Sequence, residues 1–320
     1  MTKPVFKAAF AAAAALGSSL AVARDMELKI QTAPGVEIAG TLSLPQTGRS
    51  GGKSPLVILI SGSGPQNRDA SNIVEGYAPH AEWARHFERQ GIATFRYDER
   101  GVGQSGGNWA AMTITEHAGD VGRIVAELGR RSDLDPARIV VAGHSEGSMI
   151  TSMLVANKVP IAGAVPLAGP SWTMDRVVDH QALQNVKRGN MSDEEFRAAV
   201  AELKRDFLAK VAQVPNMRST MDLKPLELAA RIDVPVLIVQ GGSDIQVPPE
   251  QAGELADAII KSGNKDVSLR VFPGINHLLL DQPADIDSYD QLPVKSLAEP
   301  VIDVVISWLA SRFSLAGGAR

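Results

Sequence analysis

The chain has 320 residues, with 32 Lys and Arg against 36 Asp and Glu, a formal charge of −4, 44% hydrophobic and 21% charged residues, and no cysteine. These figures describe a folded chain with one large core; they exclude a disordered chain, a disulfide scaffold, cysteine catalysis and thiolate metal sites. The acidic balance offers nucleic acid no general attraction.

Residues 1–23 read as an export signal: Lys3 and Lys7 open it, Phe10 to Leu16 form an apolar stretch, and Ala21-Val22-Ala23 is a small-residue cleavage site. A membrane anchor needs about 20 strongly apolar residues, and this alanine-rich stretch is too short and too weakly apolar. Loss of the signal removes Lys3 and Lys7, leaving 30 basic against 36 acidic residues and a charge of −6. A periplasmic or secreted protein is therefore expected, and a large core folds there without disulfides.

Two alternating runs around Pro34-Gly35, from Met26 to Pro45, predict an antiparallel hairpin, followed by a Gly/Ser linker from Gly48 to Ser54. Beyond the linker, short Val/Ile-rich runs alternate with helical stretches. The runs are Leu56–Ile60, Ile92–Tyr97, Ile139–Ala142, Ala162–Leu167, Val236–Gln240 and Ser268–Phe272, which read as strands covered on both faces. Helices are expected near His80–Arg89, Glu116–Arg130, Glu146–Ala156, Pro249–Lys261 and Leu297–Arg312. Thr113 with Glu116 and Ser192 with Glu195 have capping-box spacing. Regular alternation of this kind argues an α/β fold with a mostly parallel sheet wrapped by helices.

One stretch breaks the rhythm. Residues 171–230 contain no convincing strand, and Phe196, Val200, Leu203, Phe207 and Val211 recur at helical spacing. A helical cap inserted into a core of residues 24–170 and 231–320 is expected, roofing the strand ends.

The chemistry is concentrated at three of those ends. Gly143-His144-Ser145-Glu146-Gly147 follows the run Arg138 to Ala142, which is a nucleophile elbow: a tight strand-to-helix turn presenting a serine hydroxyl. Serine needs a base, and the base an orienting carboxylate. Asp244 follows one strand through Gly241-Gly242-Ser243, and His277 follows another through Pro273-Gly274-Ile275-Asn276. The order Ser145, Asp244, His277 is that of the α/β-hydrolase fold. For the oxyanion of acyl transfer, the amides of Glu146 and of Ser63, in the loop Ser61-Gly62-Ser63-Gly64, are the natural donors, with Gly64 as the alternative to Ser63.

Other signals read as structural. His80, His86, His117 and His180 fall in predicted helices or the cap, where surface or satisfied histidines are expected, and the turn constrains His144 too tightly for it to be the base. Asp281, Asp285, Asp287 and Asp290 lack the spacing of a calcium loop and read as solvated. Gly101-Val102-Gly103-Gln104-Ser105-Gly106 mimics a dinucleotide fingerprint, but no helix starts directly after it and Asp120 ends no strand. A tight loop is expected there.

Taken together, Arg96 through Ser105, the elbow, the later Gly-Ser-Asp and the Asn-His resemble the α/β-hydrolase superfamily. Within it, Ser61 through Asp69 resembles bacterial esterases related to dienelactone hydrolases, acyl transferases and prolyl oligopeptidase catalytic domains. The resemblance implies Ser145 as nucleophile, Asp244 as orienting acid, His277 as base, and Asp98 and Arg100 as turn-forming. It departs at Ser61, where such loops often begin with histidine. It implies hydrolysis of a small-molecule carboxylic ester through an acyl-serine, with no metal, organic cofactor, nucleic-acid partner or membrane anchor. The alternatives are a peptidase or amide hydrolase, and a non-catalytic binding protein on the same scaffold. Oligopeptidases of the superfamily carry a large filtering domain, and a stretch before the hairpin that is mostly leader favours the ester. Haloalkane dehalogenases use an aspartate where Ser145 stands.

Overall fold

A computed structural model describes residues 24–45, 52–284, 286 and 288–314. The expected leader, most of the linker, Asp285 and Asp287 lie outside the described residues.

The hairpin forms as β1 (Arg24–Ala33) and β2 (Val36–Leu44). The remaining strands are β3 (Ser54–Ile60), β4 (Ala93–Tyr97), β5 (Leu134–His144), β6 (Gly163–Leu167), β7 (Val236–Gly241) and β8 (Val267–Phe272). One eight-stranded sheet results, ordered β1-β2-β4-β3-β5-β6-β7-β8, with β2 antiparallel to both neighbours and every pair from β4 to β8 parallel. The pleat explains the continuous apolar runs. Along β3, Leu56, Ile58 and Ile60 enter one core cluster while Val57 and Leu59 enter the other, so both faces are covered.

Helices α2 (Ile114–Leu128), α3 (Glu146–Ala156) and α8 (Glu250–Lys261) close the first face; α1 (Pro79–Arg89) and α9 (Glu299–Arg312) close the second. The capping box at Thr113 is made in both directions. One strand departs from expectation. β8 ends the sheet, and its residues are half-buried or exposed, so its apolar run marks an edge and not a doubly covered strand.

Four helices and no strand lie between β6 and β7: α4 (Met174–Asn185), α5 (Asp193–Gln213), α6 (Pro215–Met221) and α7 (Pro225–Ala229). α4, α5 and α6 pack on one another, whereas α7 packs on α3 and α8. Ser192 and Glu195 cap α5 reciprocally. Of the α5 stripe, Val211 is buried but Leu203 is 41% exposed, so the stripe is only partly covered.

The glycine-rich decoy is a closed turn. Gly101 N–H donates to Gly106 O (2.9 Å), Gln104 N–H to Asp98 (3.0 Å), and Ser105 Oγ to Asp98 O (2.6 Å). Asp98 also receives the Arg68 side chain through two nitrogens at 3.2 and 2.7 Å, and Arg100 makes a two-point pair with Asp120 of α2 (2.6 and 2.8 Å). Arg68 lies in the loop after β3, so this turn and that loop brace each other.

Phe95 in β4 is fully buried and stacks on Tyr97 with ring centroids 6.4 Å apart. Phe95→Ala is expected to lower the unfolding free energy in urea by about 3–5 kcal/mol. A loss of less than about 1 kcal/mol would contradict the packing described here.

Candidate active site

The site begins with a backbone constraint. Ser145 joins β5 to α3 at φ 53°, ψ −117°, a conformation that side-chain-bearing residues seldom adopt. It is held from two directions: Ser145 N–H donates to Leu167 O of β6 (2.8 Å), and Ser145 O accepts from Ser148 N–H (3.0 Å). The flanking glycines are required by proximity. A Cβ on Gly143 would lie 2.1 Å from Gly147 O, and one on Gly147 would lie 2.5 Å from Ser61 O.

The sheet brings the three predicted residues together. His277 Nε2 lies 3.1 Å from Ser145 Oγ, and His277 Nδ1 lies 2.8 Å from Asp244 Oδ2. Both His277 and Asp244 are buried. The carboxylate accepts from Nδ1, which leaves Nε2 as the acceptor for the serine hydroxyl. Asp244 is saturated: Oδ1 accepts from the N–H groups of Gln246 (2.9 Å) and Val247 (2.8 Å), and Oδ2 also accepts from Gln240 Nε2 (2.8 Å). It has little freedom to turn from the imidazole.

The loop carrying His277 is fixed from below. His144 Nε2–H donates to His277 O (2.8 Å), and Tyr77 Oη–H donates to Leu278 O (2.6 Å). Burial, with His277 beside it, pushes the His144 imidazole down to about 3, so it stays neutral and its ring serves as a strut. This contact of His144, set aside as a base on the constraint of the turn, is one that no sequence spacing signals. His80 and His117 are also buried and satisfied, on Arg68 O (3.2 Å) and Tyr97 Oη (2.9 Å); burial lowers each to about 4.

Ser63 and Glu146 meet at the mouth of the elbow, where Ser63 Oγ donates to Glu146 Oε2 (3.3 Å). Glu146 opens α3, so its N–H has no intrahelical acceptor. Gly62, Ser63, Gly64, Ser145, Glu146 and His277 line one cavity of about 460 Å³. Its other walls come from α4, α5 and α6 through residues such as Met174, Val177, Phe207, Val211, Asn216 and Met217. Glu99, given no role in the sequence analysis, supports the loop after β3 by accepting from Gln66 N–H (3.2 Å) and donating its own N–H to Gln66 O (3.2 Å). Burial raises its carboxyl well above the usual range, and nearby Glu146 raises it further. Among the described residues no group of three or more His, Asp or Glu side chains is arranged to hold a metal, and no helix is long and apolar enough to cross a membrane.

A serine, histidine and aspartate converging beyond the carboxyl ends of β5, β8 and β7, on a sheet of this order, define the α/β-hydrolase class. Within that class the chain belongs to the prolyl oligopeptidase family, which it matches over residues 79–293. It is 25% identical over 281 residues to esterase EstD of Thermotoga maritima, across 85% of this chain and 65% of that one. To a monoacylglycerol lipase of Mycolicibacterium smegmatis it is 24% identical over 263 residues, across 75% and 87% of the two chains. The solved structure of a Pyrococcus furiosus esterase superposes with a TM-score of 0.63 at 17% identity, covering 92% of each chain.

The Glu146 carboxyl is raised by burial from 4.5 to about 7, against the lowering effect of the Ser63 hydrogen bond. An acid that holds its proton more tightly when folded contributes stability that is full below pH 4.5 and lost as pH rises toward 7. The shift corresponds to something on the order of 3 kcal/mol. The neutral buried histidines act oppositely, losing stability as pH falls below 6.5, and they cancel when Glu146→Gln is compared with the parent. The variant should gain on the parent between pH 4.5 and 7 in chemical-denaturation curves; parallel pH dependences would contradict the burial of Glu146.

Proposed function

We propose that the protein is a serine esterase that cleaves small carboxylic esters through an acyl-serine intermediate. The observation that carries this reading is the continuous hydrogen-bonded chain from Ser145 Oγ through His277 to Asp244 (3.1 and 2.8 Å), opening into the cavity. His277 Nε2 accepts the hydroxyl proton as Oγ attacks the acyl carbon, and the carbonyl oxygen takes the displaced electron pair. The amides of Ser63 and Glu146 receive that charge, each donor being worth roughly 3 kcal/mol in a site closed to water. As the tetrahedral intermediate collapses, His277 returns the proton to the departing alkoxide. It then takes a proton from water, whose oxygen attacks the acyl-serine; on release of the acid, Ser145 regains its proton.

The names of the relatives, an esterase and a monoacylglycerol lipase, support ester hydrolysis. Membership of the prolyl oligopeptidase family keeps amide hydrolysis as the second reading. A cavity of about 460 Å³, roofed by α4–α6 and lined without lysine or arginine, favours a small neutral substrate over a peptide with charged ends. In this reading α4–α6 act as a cap, and residues 1–23 direct export to the periplasm or beyond, on the strength of Lys3, Lys7 and the Ala21-Val22-Ala23 site.

Hydrolysis of p-nitrophenyl acetate is expected, with Ser145→Ala lowering kcat by about 10,000-fold or more and Asp244→Asn by roughly a thousandfold or more. Retention of the parent rate by Ser145→Ala would overturn the assignment. A series of aminoacyl amides run in parallel should turn over far more slowly than the esters, and the reverse preference would favour the second reading.

A further inference from the structure

The cavity over Ser145 holds a polar group that acyl transfer leaves unused. Asn216, at the start of α6, lines that cavity and is 1% exposed, yet neither the nitrogen nor the oxygen of its carboxamide has a hydrogen-bond partner among the described residues. Burying an amide unpaired is unfavourable, and such groups in folded proteins ordinarily find a partner. The backbone of Asn216 is pinned beside the cavity. Its N–H donates to Ala110 O (3.4 Å), its carbonyl accepts from Ser219 Oγ (2.7 Å), and Ser219 Oγ in turn accepts Ile114 N–H (2.8 Å) at the start of α2.

The same cavity has an apolar wall made by Trp109, Phe207, Val211, Met217 and Met221. A carboxamide offers two donors and an acceptor, so its complement must both accept and donate. Among the described residues no lysine, arginine or aspartate lies on the lining, and its one glutamate, Glu146, is pushed up to about 7 by burial and already accepts from Ser63, so an ionised group would be desolvated without a free counter-charge.

We propose that Asn216 is a specificity-determining residue. It receives an uncharged amide or hydroxyl carried by the ester substrate away from the scissile carbonyl, while the Trp109 and methionine wall receives the apolar framework that bears it. This rests on the esterase reading above and names the substrate class of that same site: neutral, largely apolar esters with one remote donor–acceptor group.

The test compares p-nitrophenyl alkanoates of increasing chain length with analogues ending in a carboxamide or a hydroxyl. The same contrast is made on the alcohol side with alkyl acetates and their ω-substituted counterparts. The enzymes are the full chain, Asn216→Leu, which keeps the number and branching of heavy atoms without their polarity, and Asn216→Thr, which puts a single hydroxyl in place of the carboxamide. At one chain length the parent is expected to prefer a polar analogue over its alkyl match in kcat/KM by about tenfold or more, with most of the difference in KM. Asn216→Leu should erase that preference, and Asn216→Thr should retain part of it for the hydroxyl analogue. Absence of a polar preference at every length in both arms overturns the proposal. So does an Asn216→Leu that lowers alkyl and polar esters by the same factor, which marks a purely structural role. Ser145-dependent hydrolysis of the plain alkyl esters reports separately on the esterase reading; if no ester of either kind is hydrolysed in that way, the esterase reading fails and this one with it.

Discussion

The backbone turn at Ser145 is the constraint on which the rest of the site depends. A non-glycine residue at φ 53° costs on the order of 1–3 kcal/mol, and it persists because the surrounding structure leaves no alternative. β5 ends in parallel pairing with β6, whose Leu167 carbonyl captures the Ser145 N–H (2.8 Å). α3 must start at once, since Gly143 and Gly147 are in backbone contact and Gly147 lies against Ser61 O. The serine hydroxyl therefore stands clear of the sheet edge, next to the first amides of α3, and the loop after β3 is pressed against it. Strand, helix and loop are mutually fixed by two positions where any side chain would collide.

Around that turn the protein spends its polar interactions on stiffness. Asp244 accepts four hydrogen bonds, of which one comes from His277, so the carboxylate is oriented before any substrate arrives. His144 and Tyr77 hold the backbone of the His277 loop. Glu99 holds Gln66, while Asp98 holds Arg68, and both contacts come from the loop after β4. Preorganised dipoles that need not rearrange as charge develops are what electrostatic catalysis requires. The cost is several buried ionisable groups, among them Glu146, Glu99, His144, His80 and His117, all shifted by burial toward their neutral forms.

Much of this was legible in the sequence because strong local signals coincided with long-range order. The runs at Leu56, Ile139 and Val236 are apolar at every position because both sheet faces are covered, and the elbow glycines report a close approach that nothing else accommodates. Asp244 and His277 were identifiable because each follows a strand end through a glycine-containing loop. β8 misled, since the run Ser268–Phe272 has the composition of an inner strand although it ends the sheet; composition carries no information about the neighbour that is absent. The braces were hidden for a related reason. His144 meets a residue 133 positions away, and Tyr77 one 201 positions away, so no spacing encodes either contact. The Asn216 carboxamide has no local motif at all, and only the packing of α6 over the cavity gives it meaning.

The central claim is that Ser145 is a nucleophile activated by His277. Covalent labelling by an alkyl fluorophosphonate tests it most directly: the serine oxygen bonds to phosphorus as fluoride leaves, and the hydroxyl proton passes to the imidazole. The account predicts a single adduct, located on Ser145 by peptide mass spectrometry, forming at least about a thousandfold more slowly in His277→Ala. An adduct on another residue, or labelling of Ser145 at an unchanged rate without His277, would contradict it.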